Sequence, residues 1–219
     1  MKKILLSLLV LLYVSGFQSC EDSIYTLDDF YVELGITVPV DNGFYIITDN
    51  GTKLWPSATN IPWFSPEDTT RVIVNYSMLG PSDNSDYNYY IKINQIDSVL
   101  TKSVVFYTEE IDDSLGNDPV FLQEAWITNR YLNVDFRFVG GMKIHMVNLT
   151  TYEDSLANTP VEMELRHNAY NDYAEGLFSG LFSFDLKTVF SEVQDSIQIK
   201  FNFNEYPGDD SSVLLWYVP

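Results

Sequence analysis

Few side chains in this sequence are of a type that does covalent or acid–base chemistry. There are two histidines, His145 and His167, and one cysteine, Cys20. Close to the histidines stand Asn148, Asn168, Asn171 and Asp172. Two imidazoles and a carboxylate suit a metal ion or proton transfer if the fold brings them to one edge. Asn-rich strand ends more commonly stitch loops through side-chain to backbone hydrogen bonds, so no metal site and no catalytic residue is expected. The sequence has no Gly-x-Ser-x-Gly elbow and no Walker-type phosphate loop. Asp83, Asn84, Asp86 and Asn88 lack the spacing and closing Glu of an EF-hand. The 31 acidic residues offer many carboxylate pairs for glycoside hydrolysis, a reading that depends on a distance in space the sequence does not give. The chain therefore reads as a non-enzyme without cofactor, and a carboxylate-based carbohydrate-active enzyme is the weaker alternative.

Aromatic side chains are the other candidates for contact with a ligand. Trp55, Trp63, Phe64, Tyr87, Tyr89 and Tyr90 could stack on sugars or on a partner protein, or pack around Pro56, Pro62 and Pro66. Trp55, Trp63 and Tyr89, with His145 and His167, are taken as candidate ligand contacts. Charge narrows the partner class. With 12 Lys plus Arg against 31 Asp plus Glu, the formal charge is −19, which opposes binding to phosphate backbones and to anionic membrane surfaces. Residues 21–105 alone hold 4 basic and 12 acidic side chains, so no nucleic acid is expected even for a barrel of a type that often binds it. A protein or glycan partner is left, and a monomer is expected.

These residues must be positioned by strands. Residues 30–40, 43–48, 70–79 and 87–99 are rich in Val, Ile, Tyr, Phe and Thr, which suit a half-buried pleated surface. Asp41-Asn42-Gly43 and Asp49-Asn50-Gly51 are strong hairpin signals, because Asn and Gly accept the positive φ of tight turns. Four or five such strands in residues 30–107 fit an OB-like Greek-key barrel. Residues 108–119 are polar, with five acids, and read as a linker. Beyond it the alternation is clean: Leu132, Val134, Phe136 and Phe138 point one way while Tyr131, Asn133, Asp135 and Arg137 point to a wet face. Further strands at 121–127, 142–149, 161–166, 181–186, 197–204 and 213–218 give about seven in residues 120–219, the count of an immunoglobulin-like β-sandwich. Only residues 186–193 could form a helical turn or two. The fold class is all-β.

Residues 1–19 carry Lys2 and Lys3, an apolar run from Ile4 to Val14 too short to span a bilayer, and a small-residue stretch before Cys20. This resembles a bacterial lipoprotein signal, with Phe17 and Gln18 in place of the usual Leu-plus-small pattern. The resemblance implies cleavage before Cys20, lipidation of its thiol and a tether over residues 20–29, hence an outer-membrane lipoprotein, periplasmic or surface-exposed, touching the membrane through its anchor only.

A second resemblance covers the mature chain. Phe44-Tyr45-Ile46-Ile47-Thr48-Asp49-Asn50-Gly51-Thr52-Lys53-Leu54-Trp55-Pro56 resembles the start of the NigD-like family of Bacteroidota lipoproteins. Trp126-Ile127-Thr128, Tyr131-Leu132-Asn133-Val134, His145-Met146-Val147-Asn148-Leu149, Leu165-Arg166-His167-Asn168-Ala169-Tyr170-Asn171-Asp172 and Ser183-Phe184-Asp185-Leu186 agree with it in order. The resemblance implies an N-terminal OB-like domain, a C-terminal β-sandwich and, through the family's bacteriocin-associated name, an immunity or self-protection role. An acidic surface would suit a basic toxin.

One pattern recurs more often than composition predicts. Asp, then Ser or Thr, then an aliphatic residue or Thr, places a hydroxyl at Ser23, Thr69, Ser98, Ser114, Ser155 and Ser196. It resembles the O-glycosylation acceptor of Bacteroidota proteins, and Asp-Ser also simply marks turns before strands.

Overall fold

A computed structural model describes residues 25–172 and 176–219. The expected signal, Cys20 and residues 21–24 of the tether, Ser23 among them, lie outside the described residues. Residues 25–29 lie along the barrel, where the Ser77 hydroxyl donates to the Leu27 carbonyl at 3.2 Å.

Five strands close the first domain: β1 (Tyr31–Val40), β2 (Gly43–Thr48), β3 (Lys53–Thr59), β4 (Thr70–Pro81) and β5 (Tyr89–Ser98). Their order around the barrel is β1-β2-β3-β5-β4. The two Asx-Gly turns make the β1–β2 and β2–β3 connections. Gly51 takes φ +85, which a side chain would strain. β3 is the strand that periodicity misses. It carries Pro56, and its parallel ladder with β5 shifts register between Pro56 and Ala58, the kind of irregularity at which a strand tolerates proline. Ile46, Leu54, Val72, Val74 and Ile91 fill the barrel and are fully shielded from water. Burying each is worth about 1.5–3 kcal/mol. Gly35 on β1 lets the strand come close to β2, since a Cβ there would lie 2.6 Å from the Ile47 carbonyl oxygen.

The domain change comes earlier than the expected linker at 108–119. Residues 100–106 already form β6 (Leu100–Ser103) and β7 (Val105–Phe106), and these pair with strands of the second domain. Residues 109–116 are not a linker either. A 3₁₀ turn at Glu109–Ile111 runs into helix α1 (Asp112–Leu115), whose Leu115 is buried. Arg166, itself 8% exposed, holds this segment by donating to the Gly116 carbonyl at 2.6 Å and to Asp112 at 2.8 Å. The polar composition that suggested a linker is that of a short, surface-docked turn with one apolar anchor.

The second domain is the expected two-layer sandwich. Its other strands are β8 (Phe121–Thr128), β9 (Tyr131–Gly140), β10 (Met146–Thr151), β11 (Val161–Asn168), β12 (Gly176–Asp185), β13 (Ile197–Glu205) and β14 (Asp209–Tyr217). The sheets run β14-β13-β11-β10-β7 and β6-β12-β9-β8, with β7–β10, β11–β13 and β6–β12 parallel. β6 and β7 are added to the seven strands that alternation locates. Leu132, Val134, Phe136, Leu149, Met163, Phe184, Ile199 and Phe201 form the shared core. The helical turn expected near 186–193 is α2 (Lys187–Phe190). β10 starts at Met146 rather than 142, and residues 142–144 are exposed. The opposite face of β9 is only partly wet: Tyr131 and Asn133 are buried, because the barrel covers that end of the sheet.

Candidate functional site

The two domains meet around Arg71, a lone cation set among β-branched residues on β4. It is 4% exposed and donates to both carboxylate oxygens of Asp49, at 2.7 Å for Nη2 to Oδ2. From the sandwich side, Asn133 Oδ1 accepts from it at 3.0 Å and Ser183 Oγ at 3.3 Å. Its guanidinium carbon lies 4.5 Å from the centre of the Tyr131 ring. The Thr128 hydroxyl donates to Asp49 at 2.6 Å and accepts from the Asn133 amide at 2.9 Å. Every charged group in this joint is paired, the condition under which a buried ion pair is tolerated.

Beside the joint the domains part, leaving a groove of about 580 Å³. Register tells which side chains face it. Asn133 points at the barrel, so Trp126, which pairs with it across β8 and β9, does too, as do Asp135 and its β12 neighbour Leu181. On the barrel, Arg71 points at the sandwich, so Ile73 and its β1 partner Leu34 share that outer face. Asp49, Asn50 and Thr128 close one end. Glu33 also borders the groove, but alternation turns its side chain to the Val74 and Tyr76 side, where Oε2 is buried without a hydrogen-bond partner. The Tyr76 hydroxyl is harder to ionise than usual, first through burial and then through the negative charge of Glu33.

The histidines do converge, at the far end of β9. His145 Nδ1 and His167 Nε2 are 2.9 Å apart, and His145 Nε2 is 3.4 Å from Asp172 Oδ2. His167 Nδ1 faces the Asp118 carbonyl at 3.2 Å, which can only accept, so Nδ1 bears the proton and Nε2 accepts from His145. Asp172 also accepts from the N–H groups of Gly141 at 2.6 Å and Lys143 at 3.1 Å. These bonds, the Lys143 N–H foremost, hold its carboxyl below the usual carboxylate range. Burial pushes the His167 imidazole down despite the opposing pull of the Asp118 carbonyl. The cluster fixes the exposed loop before β10. A pocket of about 280 Å³ lies against His167 and Asp172. Among the described residues no hydroxyl or thiol is hydrogen-bonded to either ring, and no three His, Cys, Asp or Glu side chains are placed to hold a metal ion.

The barrel aromatics do not join one site. The Trp55 ring lies 4.7 Å from Tyr87, which lies 5.4 Å from Tyr45, making an outward-facing trio. Tyr89 packs against the barrel core, and Trp63 is 77% exposed and stands apart from the trio. Of the Asp-Ser/Thr hydroxyls, Thr69, Ser98, Ser114 and Ser196 are exposed. Ser155 departs from that expectation. It is buried, its Oγ accepts the Glu162 N–H at 2.9 Å, and no bulky glycan fits there.

Sequence reasoning passed over Arg71, Asp49, Trp126 and Asp135. The signal was present in Arg71, whose charge in an apolar strand needs a buried partner, but the partners are 22 to 112 residues away.

Comparison with known proteins follows the same two-domain division. The NigD-like N-terminal OB domain matches residues 36–99, and the NigD-like C-terminal beta sandwich domain matches residues 103–217. The chain belongs to the NigD-like family. A toxin-related protein of Parabacteroides distasonis superposes on this NigD-like chain with TM-score 0.76 at 32% identity, covering 87% of this chain and 94% of that one. A NigD-like immunity protein of Bacteroides caccae gives TM-score 0.67 at 25% identity over 86% and 97%. A Bacteroides fragilis lipoprotein shares the fold alone, with TM-score 0.59 at 8% identity over 86% and 98%. No curated protein matches the chain. The boundary between the two matched domains falls at residues 99–103, where β5 gives way to β6.

Proposed function

We propose that this NigD-like protein is a lipid-anchored recognition module of the cell envelope, non-enzymatic, that holds a partner protein, with immunity to a bacteriocin-type toxin as its most specific form. The observation that carries the reading is the groove between the domains. It is walled by both, and the paired Arg71 joint holds those walls in a fixed relation, the pre-formed concavity from which ligand sites are usually made. The immunity and toxin-related relatives support the same direction. Asp49, the acid nearest the groove's closed end, is committed to Arg71 and Thr128 and is not free for acid–base work. The Trp55, Tyr87 and Tyr45 trio favours a second reading, a glycan stacked on the outside of the barrel.

Anchoring through Cys20 in the outer membrane and O-glycans at Ser23, Thr69, Ser98, Ser114 and Ser196 belong to the same proposal. Intact-mass analysis of protein from a native host tests both: acyl chains on Cys20 and hexose-scale additions are expected, and a bare polypeptide mass removes them. A pull-down from envelope extract, run beside a glycan array and a toxin challenge with and without the gene, tests recognition. A saturable protein partner is expected. Glycan binding lost on Trp55→Ala would favour the second reading, and silence in all three assays would overturn recognition altogether.

A further inference from the structure

Resting on the recognition reading, the groove itself says what kind of partner segment it accepts. Its sides are apolar, with Leu34 and Ile73 from the barrel facing Leu181 and Trp126 from the sandwich. None of the residues that line it is Lys, Arg or His, and its acids are Glu33, turned inside the barrel, Asp49, already paired, and Asp135. Asp135 has no ion-pair partner among the described residues. Asp135, which lines the groove, also stands opposite Glu124 in the β8–β9 ladder, beside the bulge between Leu122 and Glu124, so two carboxylates share one face there. Like charges directly opposite on an antiparallel pair are destabilising, and a water-filled rim only weakens the repulsion. Arg137, the next residue along that face, is exposed and forms no ion pair with either acid. The aromatic face of Trp126 is two positions from Glu124 on the same strand and the same side. Apolar walls, an aromatic ring and an unneutralised carboxylate pair are together the environment that an alkyl stem ending in a cation satisfies.

We propose that the interdomain groove binds a basic, apolar segment of a partner polypeptide. A Lys or Arg side chain places its cationic head between Asp135 and Glu124 and against Trp126, and the apolar neighbours of that residue pack on Leu34, Ile73 and Leu181. Charge complementarity acts at two ranges. The net charge of −19 draws a basic partner in, and Asp135 with Glu124 gives the contact its position.

The test uses the mature chain, residues 20–219, made without the signal and with Cys20→Ser, which cannot be acylated and needs no detergent. The probes are fluorescein-labelled Leu-Lys-Leu-Lys-Leu, its Leu-Glu-Leu-Glu-Leu counterpart and Ser-Lys-Ser-Lys-Ser, followed by anisotropy. Saturable binding of the first is expected, with the Glu peptide silent and the Ser peptide weaker. Asp135→Lys should weaken the first peptide by about tenfold or more, whereas Asp209→Lys, the same charge change on β14 of the other sheet, should have little effect. Trp126→Leu should weaken it too while keeping the groove apolar. Circular dichroism melts show that each variant is folded. Equal binding by Asp135→Lys, an equal loss with Asp209→Lys, or binding of the Glu peptide overturns the inference. Repeating the envelope pull-down with Asp135→Lys separates the two readings. A partner still captured overturns the groove assignment and leaves recognition standing; a partner lost supports both.

Discussion

β9 begins at Tyr131 against the barrel and ends at Gly140 against the loop that carries His145, and both ends are polar and buried. At the barrel end the groups are a guanidinium, a carboxylate, an amide and two hydroxyls, drawn from both domains and up to 112 residues apart in sequence. At the loop end they are two imidazoles, a carboxylate and two backbone N–H groups, all of them between Asp118 and Asp172. Opposite charges paired across two domains couple those domains to each other. Hydrogen bonds closed within one sandwich edge fix a single loop. The same strand therefore carries a global coupling at one end and a local one at the other, and substitutions at the two ends should fail in different ways.

The largest effect is expected at the joint. Arg71→Met removes the cation and leaves Asp49 with the Thr128 hydroxyl as its remaining side-chain partner, a loss of about 3–5 kcal/mol for breaking a buried pair. Denaturant unfolding followed by two probes should change from one shared transition to two, one for each domain. A single transition at native stability would show that the joint does not couple them. Next in size is Gly116→Ala, which tests whether residues 109–116 belong to the sandwich. Gly116 has φ +65, and a Cβ there would sit 2.7 Å from Asn168 Cβ and 2.9 Å from its Cα, so a loss of about 1–3 kcal/mol is expected. If 109–116 were a free linker, the variant would melt as the native chain does. Smaller again is Asp172→Ala at the loop end. The Gly141 and Lys143 amides should exchange hydrogen faster while core amides on β9 keep their native protection. Faster exchange throughout the sandwich would remove the contrast between the two ends.

The architecture was legible where side chains alternate against one neighbour. Seven sandwich strands and the Asx-Gly hairpins follow from local pattern, because a strand with one dry face writes its burial into its own sequence. The pattern fails where burial comes from a distant element. Tyr131 and Asn133 read as wet because nothing near them in the chain shows that the barrel lies on top. β6 and β7 are too short for alternation, and the acids of 109–113 hide the single anchor Leu115. The candidate site divides in the same way. His145, His167 and Asp172 stand out by residue type, but their convergence depends on β10 and β11 being paired neighbours. The groove was not legible at all, since Trp126 and Asp135 acquire their meaning only when the barrel supplies Leu34 and Ile73 opposite them.

The loop end has a dependence on pH that the joint has no reason to share. His167 gives its Nδ1–H to the Asp118 carbonyl and takes a hydrogen bond from His145 at Nε2, so protonating Nε2 sets donor against donor. Burial lowers the folded affinity of this ring for a proton, whereas the unfolded chain binds it with the ordinary imidazole value of about 6.5. The unfolded state therefore binds more protons in that window. The contribution of His167 to stability is complete above about pH 6.5 and is lost as pH falls toward the lower folded value. Asp172, also held below its ordinary value, acts in the same direction further down: its contribution is complete above about pH 4 and is lost as pH falls through its folded value. Lys143, the cation of the same loop, donates to the Tyr170 carbonyl at 2.6 Å. The protection factors of the 141–145 amides, that is, exchange rates normalised to intrinsic exchange at each pH, should fall between pH 7 and pH 5 in the native chain. In His167→Gln, whose amide oxygen can accept from His145 without titrating, that fall should vanish. An equal fall in both would place the sensitive group elsewhere.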